Sequence, residues 1–136
     1  MIQQVEIRLP EFRRGFHLIT HLITRELPEL PGKGLLHILI KHTSAGITIN
    51  ENADPSVRVD FKSFVDQLVP ENLPLYTHTL EGRDDMPAHL KSSIFGAELT
   101  IPITNGRLNL GTWQGIYLGE FRDYGGSRRF VLTVYS

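Results

Sequence analysis

The sequence predicts a single α+β domain on three observations: a period-two apolar alternation at the N-terminus, an amphipathic helix opened by Asp-Pro near the middle, and short strands with Gly/Asn turns through the C-terminal half. At 136 residues, with 40% hydrophobic and 21% charged residues, the chain can bury one core without cross-links. No repeat or composition shift divides it, so residues 1–136 are expected to form one domain.

The elements follow in order. Val5, Ile7 and Leu9 alternate with Gln4, Glu6 and Arg8, which reads as a half-buried strand over Gln3–Leu9, ended by Pro10. Leu18, Ile19, Leu22, Ile23 and Leu27 recur at helical spacing, so Phe16–Leu27 is expected as a helix, although its β-branched residues blur the start. Pro28–Gly34 is a breaker cluster and hence a loop, and the apolar run Leu35–Ile40 reads as a strand covered on both faces. Asp54 caps a helix whose first position is Pro55, which carries Val57, Phe61, Phe64, Val65 and Leu68 on one face, and which stops at Pro70. A shorter helix is expected over Met86–Phe95, capped by Asp84 or Asp85 and ended by Gly96. Glu98–Ile103, Arg107–Leu110, Gly115–Phe121 and Arg129–Tyr135 read as strands.

Composition also bounds the chemistry. Fourteen Lys and Arg balance fifteen Asp and Glu, so no large field of one sign points to nucleic acid or an anionic membrane, and any anion must be bound locally. The absence of cysteine removes disulfides, thiolate metal sites and thiol nucleophiles. No apolar run resembles a signal peptide or a membrane span, which makes a cytoplasmic location the expectation.

Three segments carry candidate chemistry. His42, Thr43 and Ser44 follow the apolar run Leu35–Ile40, where an imidazole and two hydroxyls supply a base or metal ligand beside donors for an anion; plain turn hydrogen bonding explains them equally well. In the second segment Asp85 and His89 stand four residues apart, one helical turn, so a carboxylate and an imidazole could share a metal or a proton. Simple helix capping by Asp85 is the competing account, and His78, in a loop of undetermined path, is a possible third ligand. In the third, glycines flank Trp113, which is expected to pack inward, and Glu120 and Arg122 would share one strand face as a phosphate site or an ordinary ion pair.

Taken together, HTSAGITINENADPSVRVD from His42, EGRDDMPAHLK from Glu81 and GTWQGIYLGEFRD from Gly111 resemble the pattern of the YjbQ family, known as secondary thiamine-phosphate synthase enzymes. The early RGFHLIT and the closing GGSRR extend the likeness over the whole chain. The resemblance implies a compact β-sandwich-like core with two or three helices, a homotrimer, and weak joining of a pyrimidine methyl diphosphate to a thiazole phosphate. By position it carries over His42 and Ser44, then Asp85, His89 and Lys91, then Thr112, Gln114, Glu120 and Arg122. One departure is Phe121, where family members commonly have histidine; strand alternation would turn that side chain away from Glu120.

The leading expectation is therefore an enzyme acting on a small phosphorylated metabolite. A divalent cation, zinc or magnesium, would be held by His42, Asp85 and His89, with Lys91 and Arg122 on the anion, Glu120 as base or water-positioner, and Thr43, Ser44, Thr112 and Gln114 at the substrate. A trimeric module that binds such a metabolite without turnover, and a metal-dependent hydrolase, are the competing expectations.

Overall fold

The computed structural model describes all residues from Met1 to Ser136. Its strands are β1 (Ile2–Arg8), β2 (Gly15–Leu18), β3 (Lys33–Ile40), β4 (Ala45–Glu51), β5 (Glu98–Thr104), β6 (Arg107–Leu108), β7 (Gln114–Glu120) and β8 (Arg129–Tyr135), and its helices are α1 (Thr20–Thr24), α2 (Pro55–Leu68) and α3 (Asp85–Phe95). All strand pairs are antiparallel, in a five-stranded sheet of order β1-β8-β3-β5-β6 and a three-stranded sheet of order β2-β7-β4.

Alternation explains the layering. On β3 and β8, Leu36, Ile38, Ile40, Phe130, Leu132 and Val134 point inward and meet Ile47, Ile116 and Leu118 of the smaller sheet, forming the principal core. The other face of the smaller sheet is also covered: Phe16, Tyr117 and Phe121 pack with Val65 of α2 and Ala88 of α3. The three-stranded sheet is thus buried on both faces, which is why β7 is enclosed from Gly115 to Glu120. The α+β class and sandwich-like core match the reading from sequence.

Several elements differ from expectation for identifiable reasons. Gly15–Leu18 is a strand paired with β7, and only Thr20–Thr24 is α-helical, because Phe16 is needed on the helix-facing side of the small sheet while Ile19 and Ile23, one turn apart, are needed in the main core. The strand β4 was not foreseen, although Ile47-Thr48-Ile49-Asn50 alternates as a strand should. Strand β3 is covered on one face only, since Leu35 and Leu39 remain 44% and 38% exposed. Strand β6, which pairs with β5 at the sheet edge, is just two residues long. Helix α2 begins as expected, with the Asp54 carboxylate accepting from the Ser56 N–H at 2.9 Å and Pro55 at the first helical position. At α3 the residue before the helix is Asp84, whose side chain makes no capping bond, and Gly96 ends the helix with φ of 100°.

Candidate functional site

The site is assembled at the N-terminus of α3. Asp85 is the first residue of that helix and is buried, so its carboxylate requires partners, and three converge on it. One oxygen, Oδ1, accepts from Arg122 Nη1 at 2.6 Å; the other, Oδ2, lies 2.7 Å from His78 Nε2 and 3.1 Å from His89 Nε2. His89 is there because helical spacing puts it one turn after Asp85. His78 arrives from the loop between α2 and α3, which Gly82 turns back with φ of 108°. The three potential ligand atoms lie within 4.8 Å of one another.

The hydrogen bonds fix how these groups are used. His89 Nδ1 is 2.8 Å from the Thr43 carbonyl oxygen, which only accepts, so Nδ1 carries a proton. That leaves Nε2 to hold either a second proton, shared with Asp85, or a metal ion; a backbone carbonyl behind the ring is a common support for a metal-binding imidazole. Arg122 reinforces the other side: its Nε donates to Asp84 Oδ2 at 3.1 Å and its Nη2 to the Glu81 carbonyl at 2.9 Å. Burial pushes the Asp85 carboxyl up, but the His78 hydrogen bond and the neighbouring His89 and Arg122 charges outweigh it, so it titrates below the usual carboxylate range. Asp84 behaves alike, its burial outweighed by the Asp123 N–H and Arg122.

His42 stands apart from this cluster. Its Nε2 accepts the Arg129 backbone N–H at 2.8 Å, which makes the ring the neutral tautomer with hydrogen on Nδ1. Burial, with Arg128 and Arg129 nearby, pushes its pKa down, in keeping with a neutral ring. His42 and His89 nevertheless line the same open cleft of about 430 Å³, with Thr43, Ser92, Ser93, Gly96 and Ala97.

Comparison with known proteins adds the relationship. A family model described as UPF0047 protein YjbQ-like matches residues 4–136. The UPF0047 protein YjbQ of Salmonella typhimurium is 52% identical over 136 residues, 98% of each chain. The chain belongs to the YjbQ family. A UPF0047 protein of Methanocaldococcus jannaschii is 53% identical over 101 residues, covering 74% of this chain and 70% of the other. Among solved structures, a YjbQ/UPF0047 family protein from Clostridium acetobutylicum superposes with a TM-score of 0.81 at 36% identity, covering 96% of this chain and 99% of the other. A conserved hypothetical protein from Thermus thermophilus gives 0.81 at 36% identity, with 93% and 97% covered.

In this YjbQ-family chain the motif residues separate by location. Asp85 and His89 come together, and His78 rather than His42 is their third neighbour. Lys91 is buried and faces away, with its Nζ 2.6 Å from Asp66 Oδ1 and 5.9 Å from the Phe121 ring centroid. Glu120 is wholly enclosed: Arg128 Nε and Nη2 donate to its two oxygens at 2.7 and 2.6 Å, and the Arg122 N–H reaches Oε2 at 3.2 Å. The expected Glu120–Arg122 side-chain pair is therefore replaced by Glu120–Arg128, and the Arg122 side chain is held by Glu81, Asp84 and Asp85 through one hydrogen bond from each of its three nitrogens. Ser44 contributes its carbonyl to Arg128 Nη2 at 3.2 Å. Thr112 and Gln114 lie at the other end of β7, roughly 20 Å from Glu120 at about 3.3 Å per strand residue. Trp113, expected inside, is 66% exposed. Phe121 packs with Phe16 and Phe95 on the helix side, opposite the Glu120 carboxylate, as alternation requires. No helix is long and apolar enough to cross a membrane.

Proposed function

We propose that this chain binds a divalent metal ion through His78, Asp85 and His89 and uses it on a small phosphorylated substrate, the family-implied reaction being the joining of a pyrimidine methyl diphosphate to a thiazole phosphate. The observation that carries this reading is the orientation of His89: its Nδ1–H is committed to the Thr43 carbonyl while Nε2 turns to the Asp85 oxygen shared with His78. Two imidazoles and one carboxylate suit zinc better than magnesium, and three protein ligands leave coordination open for substrate or water. When bound, the ion would neutralise charge on the departing diphosphate as the C–O bond breaks and the thiazole nitrogen bonds to the methylene carbon. Arg122 holds Asp85 in one rotamer through Oδ1 and so keeps Oδ2 directed at the histidines.

The test is metal content and turnover of the same preparations. Metal-free protein titrated with zinc is expected to take up one ion per chain, and His89→Ala and His78→Ala are expected to lose it while changing unfolding free energy by less than about 1 kcal/mol, as is usual for partly exposed side chains. Unchanged zinc stoichiometry in both variants would overturn the site. Pyrophosphate release coupled to thiamine phosphate formation, lost in both variants, supports the synthase reading; phosphate release from the diphosphate alone would assign a hydrolase.

A further inference from the structure

We infer that a crevice in the loop between α2 and α3 binds a phosphate group, and that this anion accepts the His78 Nδ1–H and so tightens the metal site. The inference deepens the proposed function and rests on its premise that His78 and His89 hold an ion through Nε2. Its starting point is an asymmetry between the two imidazoles. His89 is fixed from behind, its Nδ1–H held by the Thr43 carbonyl at 2.8 Å. His78 makes the corresponding Nε2 contact with Asp85 Oδ2 at 2.7 Å, yet its Nδ1 meets no acceptor of the chain. A metal-bound imidazole almost always donates its other N–H to a fixed partner, and losing that partner weakens the metal by about ten- to a hundredfold. The outer bond of His78 must come from a molecule that the chain does not supply.

A place for that molecule exists beside the ring. His78 lines a crevice of about 120 Å³ with Arg83, Asn72 and Thr79, and Tyr76 and Met86 help to wall it. Neither Asp85 nor His89 lines it, so a ligand there would sit behind the His78 ring rather than on the metal. The space equals about four waters at roughly 30 Å³ each, enough for one phosphate group and too little for a nucleotide. Its charged donor is Arg83, whose side chain is 72% exposed and whose Nε stands 3.0 Å from Glu71 Oε2. Glu71 is also met by Arg14 Nη1 at 2.6 Å on its other oxygen, so its charge is matched twice, and Arg83 Nη1 and Nη2 make no bond within the chain. The Asn72 amide and the Thr79 hydroxyl are exposed and likewise unbonded. A guanidinium with two free nitrogens, an amide and a hydroxyl form a recognition set for phosphate oxygens. Water could also accept from His78, but it would fix neither the tautomer nor the ring, whereas an oxyanion held by Arg83 fixes both.

Inorganic phosphate is the probe. Zinc affinity of the intact chain should be measured by competition with a chromophoric chelator, with and without phosphate, for wild type and Arg83→Gln. That substitution alters an exposed side chain and leaves Arg14 on Glu71, so folding is not at stake. Saturating phosphate is expected to tighten zinc about tenfold in wild type, the lower end of the effect of an outer partner. Zinc must then tighten phosphate by the same factor, because the coupling is reciprocal. In Arg83→Gln the zinc affinities with and without phosphate should coincide. Thiazole phosphate giving the same Arg83-dependent effect would make the group a substrate's, and its giving none would make it a free anion; the crevice stands in both. Phosphate binding that depends on Arg83, without any zinc uptake by wild type, would sink the metal reading and leave the crevice as an anion site alone. A wild-type zinc affinity unmoved by phosphate would overturn the inference. So would a rise of equal size in Arg83→Gln, because the anion would then sit on the zinc itself.

Discussion

Two charged clusters meet at Arg122, whose backbone N–H reaches Glu120 and whose Nη1 reaches Asp85, and they obey opposite rules. The Glu120–Arg128 pair is closed: Glu120 is fully buried, both its oxygens are matched by guanidinium donors, and a Cβ at Gly125 would come within 2.5 Å of those oxygens. The His78–Asp85–His89 cluster is half open: its carboxylate is buried and anchored, but its two imidazoles reach the surface. A residue type that draws attention in a sequence is the same in both. What separates structure from chemistry is whether bonding capacity is left over after the fold has taken its share.

The largest expected effect breaks the closed cluster. Glu120→Ala leaves Arg128 buried without its counter-charge and should cost about 3–5 kcal/mol of unfolding free energy, as removal of one partner of a buried pair does. Replacing both residues with apolar side chains of similar volume should recover much of that loss. A catalytic Glu120 would instead give a stable, inactive variant, so a Glu120→Ala protein with wild-type denaturant midpoint would reverse the comparison.

A smaller effect tests the second closed pair, Lys91–Asp66. Burial pushes the Asp66 carboxyl up, yet hydrogen bonds from Lys62 and Lys91 outweigh it, so its folded pKa lies below its ordinary value. The sign follows: with an unfolded value of about 3.9, Asp66 contributes stability that is fully present above that pH and is lost as pH falls through the lower folded value. Urea denaturation of metal-free protein below about pH 4 should therefore show a shallower loss of stability for Asp66→Asn than for wild type. Equal slopes would mean that other carboxylates, Asp84 and Asp85 foremost, carry the acid response.

The sequence made the local features legible and left the long-range ones dark. The Asp54-Pro55 helix start, the alternation in β1 and the one-turn spacing of Asp85 and His89 are all set by neighbours within a few residues. Choosing His78 over His42 depended on how the loop between α2 and α3 returns to the start of α3, which periodicity does not encode. The partner of Glu120 was likewise decided by tertiary approach. Arg122 has the right separation for a shared strand face, but β7 ends at Glu120, so the chain turns and Arg128 enters instead. Phe16–Leu18 was misread as helix because two cores claim successive parts of one apolar stretch, Phe16 and Leu18 the smaller and Ile19, Leu22, Ile23 and Leu27 the larger, which together mimic a helical stripe.

The smallest expected effect concerns Trp113, whose position at the far end of β7 makes it a control for both clusters. The backbone around it is pinned: Asn52 N–H donates to the Trp113 carbonyl at 2.9 Å, and Asn52 Nδ2 donates to the carbonyls of Thr112 and Gln114 at 3.2 and 3.1 Å. Gly115 is required beside it, since a Cβ there would meet Leu18 at 2.7 Å. The turn is held by main chain and glycine, whereas the indole itself lies mostly in solvent. Trp113→Ala should accordingly change unfolding free energy by no more than about 0.5 kcal/mol in this chain alone, measured by urea denaturation. A loss of about 2 kcal/mol or more that grows with protein concentration would mean that another copy covers the indole in solution, because only association makes stability depend on concentration.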